Sequence, residues 1–138
     1  KAFQVHKELD PNVHVLHLYP GIRPQAVEAI LKTTNLKALV LLTYGAGNAT
    51  TDVWFLEMLN AAIENGIIIL NVTQCEIGSV KQGLYETSSA FNRLGVIGGN
   101  DITFEAAITK LMVLLGCGFS REEIIEYLKI SLRGEFTL

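Results

Sequence analysis

The sequence predicts an α/β domain of the flavodoxin-like kind: a small parallel sheet of four strands flanked by helices. Three observations carry this. Apolar, β-branched runs alternate with segments of helical periodicity in the order β-α-β-α-β-α-β-α-α, and such alternation implies parallel strands joined by right-handed crossovers. The runs at 37–43 and 67–72 are almost unbroken in their apolar character, the pattern of strands buried on both faces. The first of these runs into Tyr44, the glycine bend Gly45-Ala46-Gly47-Asn48 and then a helical segment. Strand, tight turn, helix is the arrangement at which open α/β proteins bind ligands, beyond the carboxyl ends of the strands.

Each element has its own signal. Residues 1–12 read as a leading arm ending in Asp10-Pro11. Residues 13–19 form a strand, closed by the turn dipeptide Pro20-Gly21. A helix follows over 23–33, with Pro24 in its first turn and Val27, Ile30 and Leu31 at helical spacing. The second strand is 37–43 and the second helix 51–65, with Thr50 or Thr51 as its cap and Gly66 as its stop. The third strand is 67–72. Thr73 to Gly78 has loop character, and a short helix is expected over 85–94, stopped by Gly95. Val96-Ile97 is a short fourth strand. A strong helix over 103–115 is capped by Asp101 or Thr103, with Phe104, Ala107, Ile108, Leu111 and Leu115 as its apolar face. The last helix starts at Ser120, where Glu123 completes a capping box, and turns Ile124, Ile125 and Leu128 inward.

A length of 138 residues fits one domain, which buries roughly 68% of the surface its unfolded chain exposes. Charged residues make up 18%, against about 25% in an average domain, so part of the surface is expected to lie under another domain or subunit. A net charge of −3 without a Lys/Arg cluster argues against nucleic acid. The longest apolar stretch is too short for a bilayer, and no signal-peptide pattern opens the chain. Cys75 and Cys117 stand far apart, forming neither a disulfide framework nor a zinc site, and a reducing, cytosolic setting is expected.

The candidate chemistry gathers at the strand ends. Gly45-Ala46-Gly47-Asn48-Ala49-Thr50 starts like a dinucleotide fingerprint, but Thr50 replaces the third glycine and Asn71 stands where the acidic residue belongs. What remains is either a βα turn that needs positive φ, or a small-ligand site. In the second case Asn48 donates and accepts, the first amides of the helix favour a carboxylate, and Tyr44 either closes over the ligand or packs. Thr73-Gln74-Cys75 ends the neighbouring strand on the same edge: a pocket wall, or a polar loop with a small buried cysteine. Cys117 reads as a buried cysteine between glycines. His14 and His17 fall on opposite faces of their strand, so they read as core or edge histidines rather than metal ligands. Glu86 lies in the irregular segment, either within reach of the ligand edge or as a solvated loop carboxylate. No Ser/His/Asp set, Walker loop or metal spacing is visible, and no cofactor or metal is expected.

These residues also carry a resemblance. Leu18-Tyr19-Pro20-Gly21, Tyr44-Gly45-x-Gly47-Asn48, Asn71-Val72-Thr73-Gln74-Cys75, Gly95-Val96-Ile97-Gly98-Gly99-x-Asp101-x-Thr103-x-Glu105 and Leu132-Arg133-Gly134-Glu135 come in the order and spacing of the C-terminal domain of type I, cytosolic bacterial L-asparaginases, within the asparaginase/glutaminase family. The resemblance covers essentially the whole chain. It implies the smaller of two domains, with the nucleophilic threonine and its helpers in an N-terminal domain that this chain lacks, so the chain alone should be inactive. It implies active sites formed between subunits of a homodimer or dimer of dimers in the cytoplasm, hydrolysing L-asparagine to L-aspartate and ammonia. Asn48 maps onto the asparagine that the C-terminal domain lends to the partner's site. Glu86 maps onto a glutamate that binds the substrate α-amino group in the periplasmic type. Thr73 and Cys75 map onto an allosteric asparagine site of some cytosolic members, but Leu42 stands where an allosteric member has arginine, which removes a bidentate carboxylate partner. Regulation by asparagine is therefore expected to be weak or absent. The alternatives are a non-catalytic amino-acid-binding or assembly module, or the asparaginase-like subunit of a tRNA amidotransferase.

Overall fold

The computed structural model describes residues 5–83 and 86–137, the side chains of 87 and 88 excepted. The elements follow the expected alternation: β1 (Val13–His17), α1 (Pro24–Leu31), β2 (Ala38–Thr43), α2 (Val53–Glu64), β3 (Ile68–Thr73), α3 (Glu86–Leu94), β4 (Ile97–Gly98), α4 (Phe104–Gly116) and α5 (Arg121–Leu128). The strands form one parallel sheet in the order β1-β2-β3-β4. Val13 pairs with Ala38, Leu39 with Ile69 and Leu70 with Ile97.

That order explains the layering. Each crossover steps the same way across the sheet, and right-handed crossovers in one direction place their helices on one face. Val27 of α1, Phe55 and Leu59 of α2 and Phe91 of α3 accordingly share one buried cluster with Leu16, Leu39, Leu41 and Ile69. The helices after β4 cover the other face, where Ala107, Leu111, Leu114, Ile124 and Leu128 pack on Val40, Leu42, Leu70 and Val72. β2 and β3 are buried at every position, as their unbroken apolar runs require. β1 is one of the two edge strands, and His14 and His17 are both exposed there.

The caps decide the helix starts. Thr103 accepts from Ala106 N at 3.3 Å and opens α4. Ser120 and Glu123 form the expected capping box, with Glu123 N donating to Ser120 Oγ and Ser120 N to Glu123 Oε2. At α2 the expected threonine cap is absent: Asp52 holds the N-cap position without a side-chain cap bond, and the Thr50 hydroxyl turns to Asp52 instead. The buried stripe of α4 also differs from the expected one. Leu114 and Lys110 are buried with Ala107 and Leu111, whereas Phe104, Ile108 and Leu115 are half-buried. Lys110 earns its place under the tail: Nζ meets Glu135 Oε1 at 2.5 Å and Ile130 O at 2.7 Å, and lies 4.8 Å from the centre of the Phe136 ring. In β1 regular pairing stops at His17, two residues earlier than expected, although Leu18 N still donates to Leu42 O. Of the expected helix 85–94, residue 85 lies outside the described residues.

Candidate functional site at the carboxyl edge of the sheet

Thr43 and Thr73 close β2 and β3 side by side, in register. From there the chain makes two turns, and the first is fixed by side chains of β3. After β2, Tyr44 N donates to Asn48 O and Asn48 N to Tyr44 O, both at 2.8 Å, so residues 44–48 form a closed loop. Its glycines are required. Gly45 and Gly47 have φ of +48° and +101°, and a Cβ on Gly47 would stand 2.7 Å from Val80 Cγ1 and 3.1 Å from Asn71 Nδ2.

Asn48 ends this loop half-buried, and its Oδ1 is buried without a hydrogen-bond partner. A buried acceptor left unpaired is destabilising by about 1–3 kcal/mol, so such an atom calls for an explanation. Tyr44 beside it is half-buried, and burial raises its phenol above the usual value. The hydroxyl is therefore a protonated donor at neutral pH.

Under the loop lies a polar cluster that the apolar pattern concealed. Thr43 Oγ1 donates to Asn71 Oδ1 at 2.5 Å, and Asn71 Nδ2 donates to Gly47 O at 3.2 Å and Gln82 Oε1 at 3.3 Å. Thr43 and Asn71 are both fully buried. The Thr73 hydroxyl donates to Gly45 O at 2.5 Å and accepts from Cys75 N at 3.1 Å. Gln74 Nε2 donates to Leu18 O and Leu42 O, tying the ends of β1 and β2 together. The polar groups of Thr73 and Gln74 therefore already serve the backbone of this edge. Cys75, for which burial was one reading, is exposed. Cys117 is half-buried, with Sγ 3.3 Å from His6 Nδ1. Leu42 points to the opposite face, into the core beneath α4. Glu86 opens α3 and is exposed.

Asn48, Thr73 and Cys75 thus lie on one edge of the sheet, whereas Glu86 stands exposed at the start of α3. Thr43, Asn71 and Gln82 were missed as site residues. The available signal was Asn71: an amide inside a buried apolar strand must find partners. Neither of two cavities of about 380 and 370 Å³ touches this edge; the larger lies between α4, α5 and the tail, beside Lys110, Cys117 and Glu135. We place the site at the strand edge because the polar groups converge there. Among the described residues no group of three His, Cys, Asp or Glu could hold a metal ion, and no helix is long and apolar enough to cross a membrane.

A family model for the glutaminase/asparaginase C-terminal domain matches residues 12–128. The chain belongs to this family. It is 41% identical over 133 residues to L-asparaginase 1 of Escherichia coli K12, covering 96% of this chain and 39% of that protein. It is 40% identical over 135 residues to a 60 kDa lysophospholipase of Mus musculus, covering 97% of this chain and 24% of that protein. The crystal structure of L-asparaginase I from Vibrio cholerae superposes with a TM-score of 0.93 at 40% identity, over 100% of this chain and 41% of the other. The asparaginase C-terminal domain seen here therefore spans about two fifths of the two asparaginases.

Proposed function

We propose that this domain is the C-terminal part of an L-asparaginase that hydrolyses L-asparagine to L-aspartate and ammonia. The carrying observation is Asn48: an asparagine at the mouth of a glycine turn, at the carboxyl edge of the sheet, with Oδ1 unpartnered and buried. An amide held this way is ready to orient a substrate amide or a nucleophilic hydroxyl brought by another domain. The N-terminal domain supplies the threonine whose oxygen attacks the side-chain amide carbonyl; ammonia leaves, and water then hydrolyses the acyl intermediate. The partner is a second copy of the enzyme, in a cytoplasmic homodimer or dimer of dimers. Glu86 binds the substrate α-amino group. Thr73 and Cys75 border the place of a second, regulatory asparagine, but Leu42 offers no guanidinium there, so the kinetics are not sigmoidal.

The test joins the N-terminal domain to this one and measures ammonia release from asparagine. The two-domain protein releases ammonia and the 138-residue chain alone does not. An inactive two-domain protein, or full activity after Asn48→Ala, would contradict the proposal.

A further inference from the structure

Beyond Asn48, we infer that Asn71 is a positioning residue of this site: its carboxamide fastens the Asn48-bearing turn to the 78–83 loop, and through that loop to α3. The inference rests on the asparaginase reading for its catalytic consequence, but not for its structural one.

The orientation of every amide in the cluster is determined. Gln82 Nε2 lies 2.6 Å from Val96 O and 2.7 Å from Asn92 Oδ1 on α3. A backbone carbonyl only accepts, so nitrogen must face it, and Gln82 Oε1 must face Asn71. Asn71 Nδ2 then faces both Gln82 Oε1 and Gly47 O, and its Oδ1 receives the Thr43 hydroxyl. The Asn71 side chain is fully buried, and no donor or face of it is left over.

The closure of the turn does not need Asn71, because the Tyr44 and Asn48 main chains already bond to each other. What Asn71 adds is attachment. It holds Gly47 O down against β3, while Lys81 N donates to Ala46 O at 3.0 Å and Val80 fills the space left by the missing Cβ of Gly47. The residue that follows Gly47 is Asn48. The spacing between Asn48 and the helix that begins at Glu86 is thus set by one chain of bonds, Gly47 to Asn71 to Gln82 to Asn92.

Asn71→Asp is the informative substitution. It keeps the acceptor for Thr43 and nearly the same shape, but turns an oxygen toward two acceptors. Gln82→Met, at a half-buried position, removes the second acceptor and the link to α3 with little threat to folding. Hydrogen exchange of the 138-residue chain should show the Gly47 and Asn48 amides exchanging about tenfold faster or more in both variants, with the amides of β2 unchanged. In the two-domain enzyme, Asn71→Asp should lower kcat about tenfold on the wild-type background and have almost no further effect on an Asn48→Ala background, since residues acting as one unit are not additive. Unchanged exchange at the turn in both variants would overturn the positioning role, whatever the activity. A loss of kcat that adds in full to that of Asn48→Ala would overturn it too. A wild-type enzyme that releases no ammonia would sink the asparaginase reading, and the exchange data would still decide the attachment.

Discussion

Replacing Gly47 by alanine probes the turn at its tightest point. At φ +101° an alanine is outside the left-handed well, which alone destabilises by about 1–2 kcal/mol. Its Cβ would meet Val80 Cγ1 at 2.7 Å and Asn71 Nδ2 at 3.1 Å, and overpacking of this kind adds about 1–3 kcal/mol. Gly45 is the internal control: its φ is +48°, and a Cβ there meets nothing within 4 Å, so Gly45→Ala should destabilise by only about 1 kcal/mol. The gain from restricting the unfolded chain is the same for both changes and drops out of the comparison. Urea unfolding followed by the fluorescence of Trp54, the single tryptophan, reads the difference. With a slope of about 1–3 kcal/mol/M, Gly47→Ala should lower the midpoint by about 1 M more than Gly45→Ala. Equal midpoints would refute the claim that the turn is packed against β3 and the 78–83 loop.

Three further outcomes follow from the same contacts. Ser120→Ala removes the acceptor for Glu123 N and should destabilise by about 1 kcal/mol, seen as a lower urea midpoint with an unchanged slope. For Glu135, burial acts to raise the carboxyl pKa, but the Leu132 amide, Lys110 and the Arg133 amide outweigh it and bring it to about 2, from the ordinary 4.5. A carboxyl depressed in the folded state stabilises above its unfolded value, so its contribution, up to roughly 3 kcal/mol, is complete above pH 4.5 and lost as pH falls toward 2; a pH series of urea midpoints measures this, and Glu135→Gln should flatten that part of the profile. Lys110→Met leaves the half-buried Glu135 carboxylate without its cation but with its Leu132 and Arg133 amide donors, and should destabilise by about 1.5–3 kcal/mol, read by the same unfolding assay.

The fold was legible because its signals are local and redundant. The unbroken runs of β2 and β3 announce burial on both faces, and the Ser120–Glu123 spacing announces a helix start; the structure bears both out. Lys110 was not legible. Its burial depends on Glu135 and the Ile130 carbonyl, twenty or more residues away, and helical periodicity gives no sign that a cation will be neutralised there. The cap of α2 was misplaced for a similar reason: Thr50 has the right chemistry, but its hydroxyl is taken by Asp52. At the site, the glycines and Asn48 stood out by spacing. Asn71 entered the reading as the residue that was not acidic and as the start of one resembling motif, never as a site residue, and its partners Gly47 and Gln82 come from different loops. Hydrogen bonds across strands leave no periodicity to read, only the anomaly of one amide in an apolar run.

The central claim is that this domain lends Asn48 to an active site on another subunit, and mixing two impaired variants tests it most directly. One two-domain protein carries Asn48→Ala; the other carries a replacement of the nucleophilic threonine in its N-terminal domain. In a symmetric dimer with shared sites, each mixed dimer holds one site with both defects and one with neither, so random mixing should restore about one quarter of the wild-type rate of ammonia release. A mixture no more active than its two components would contradict the account.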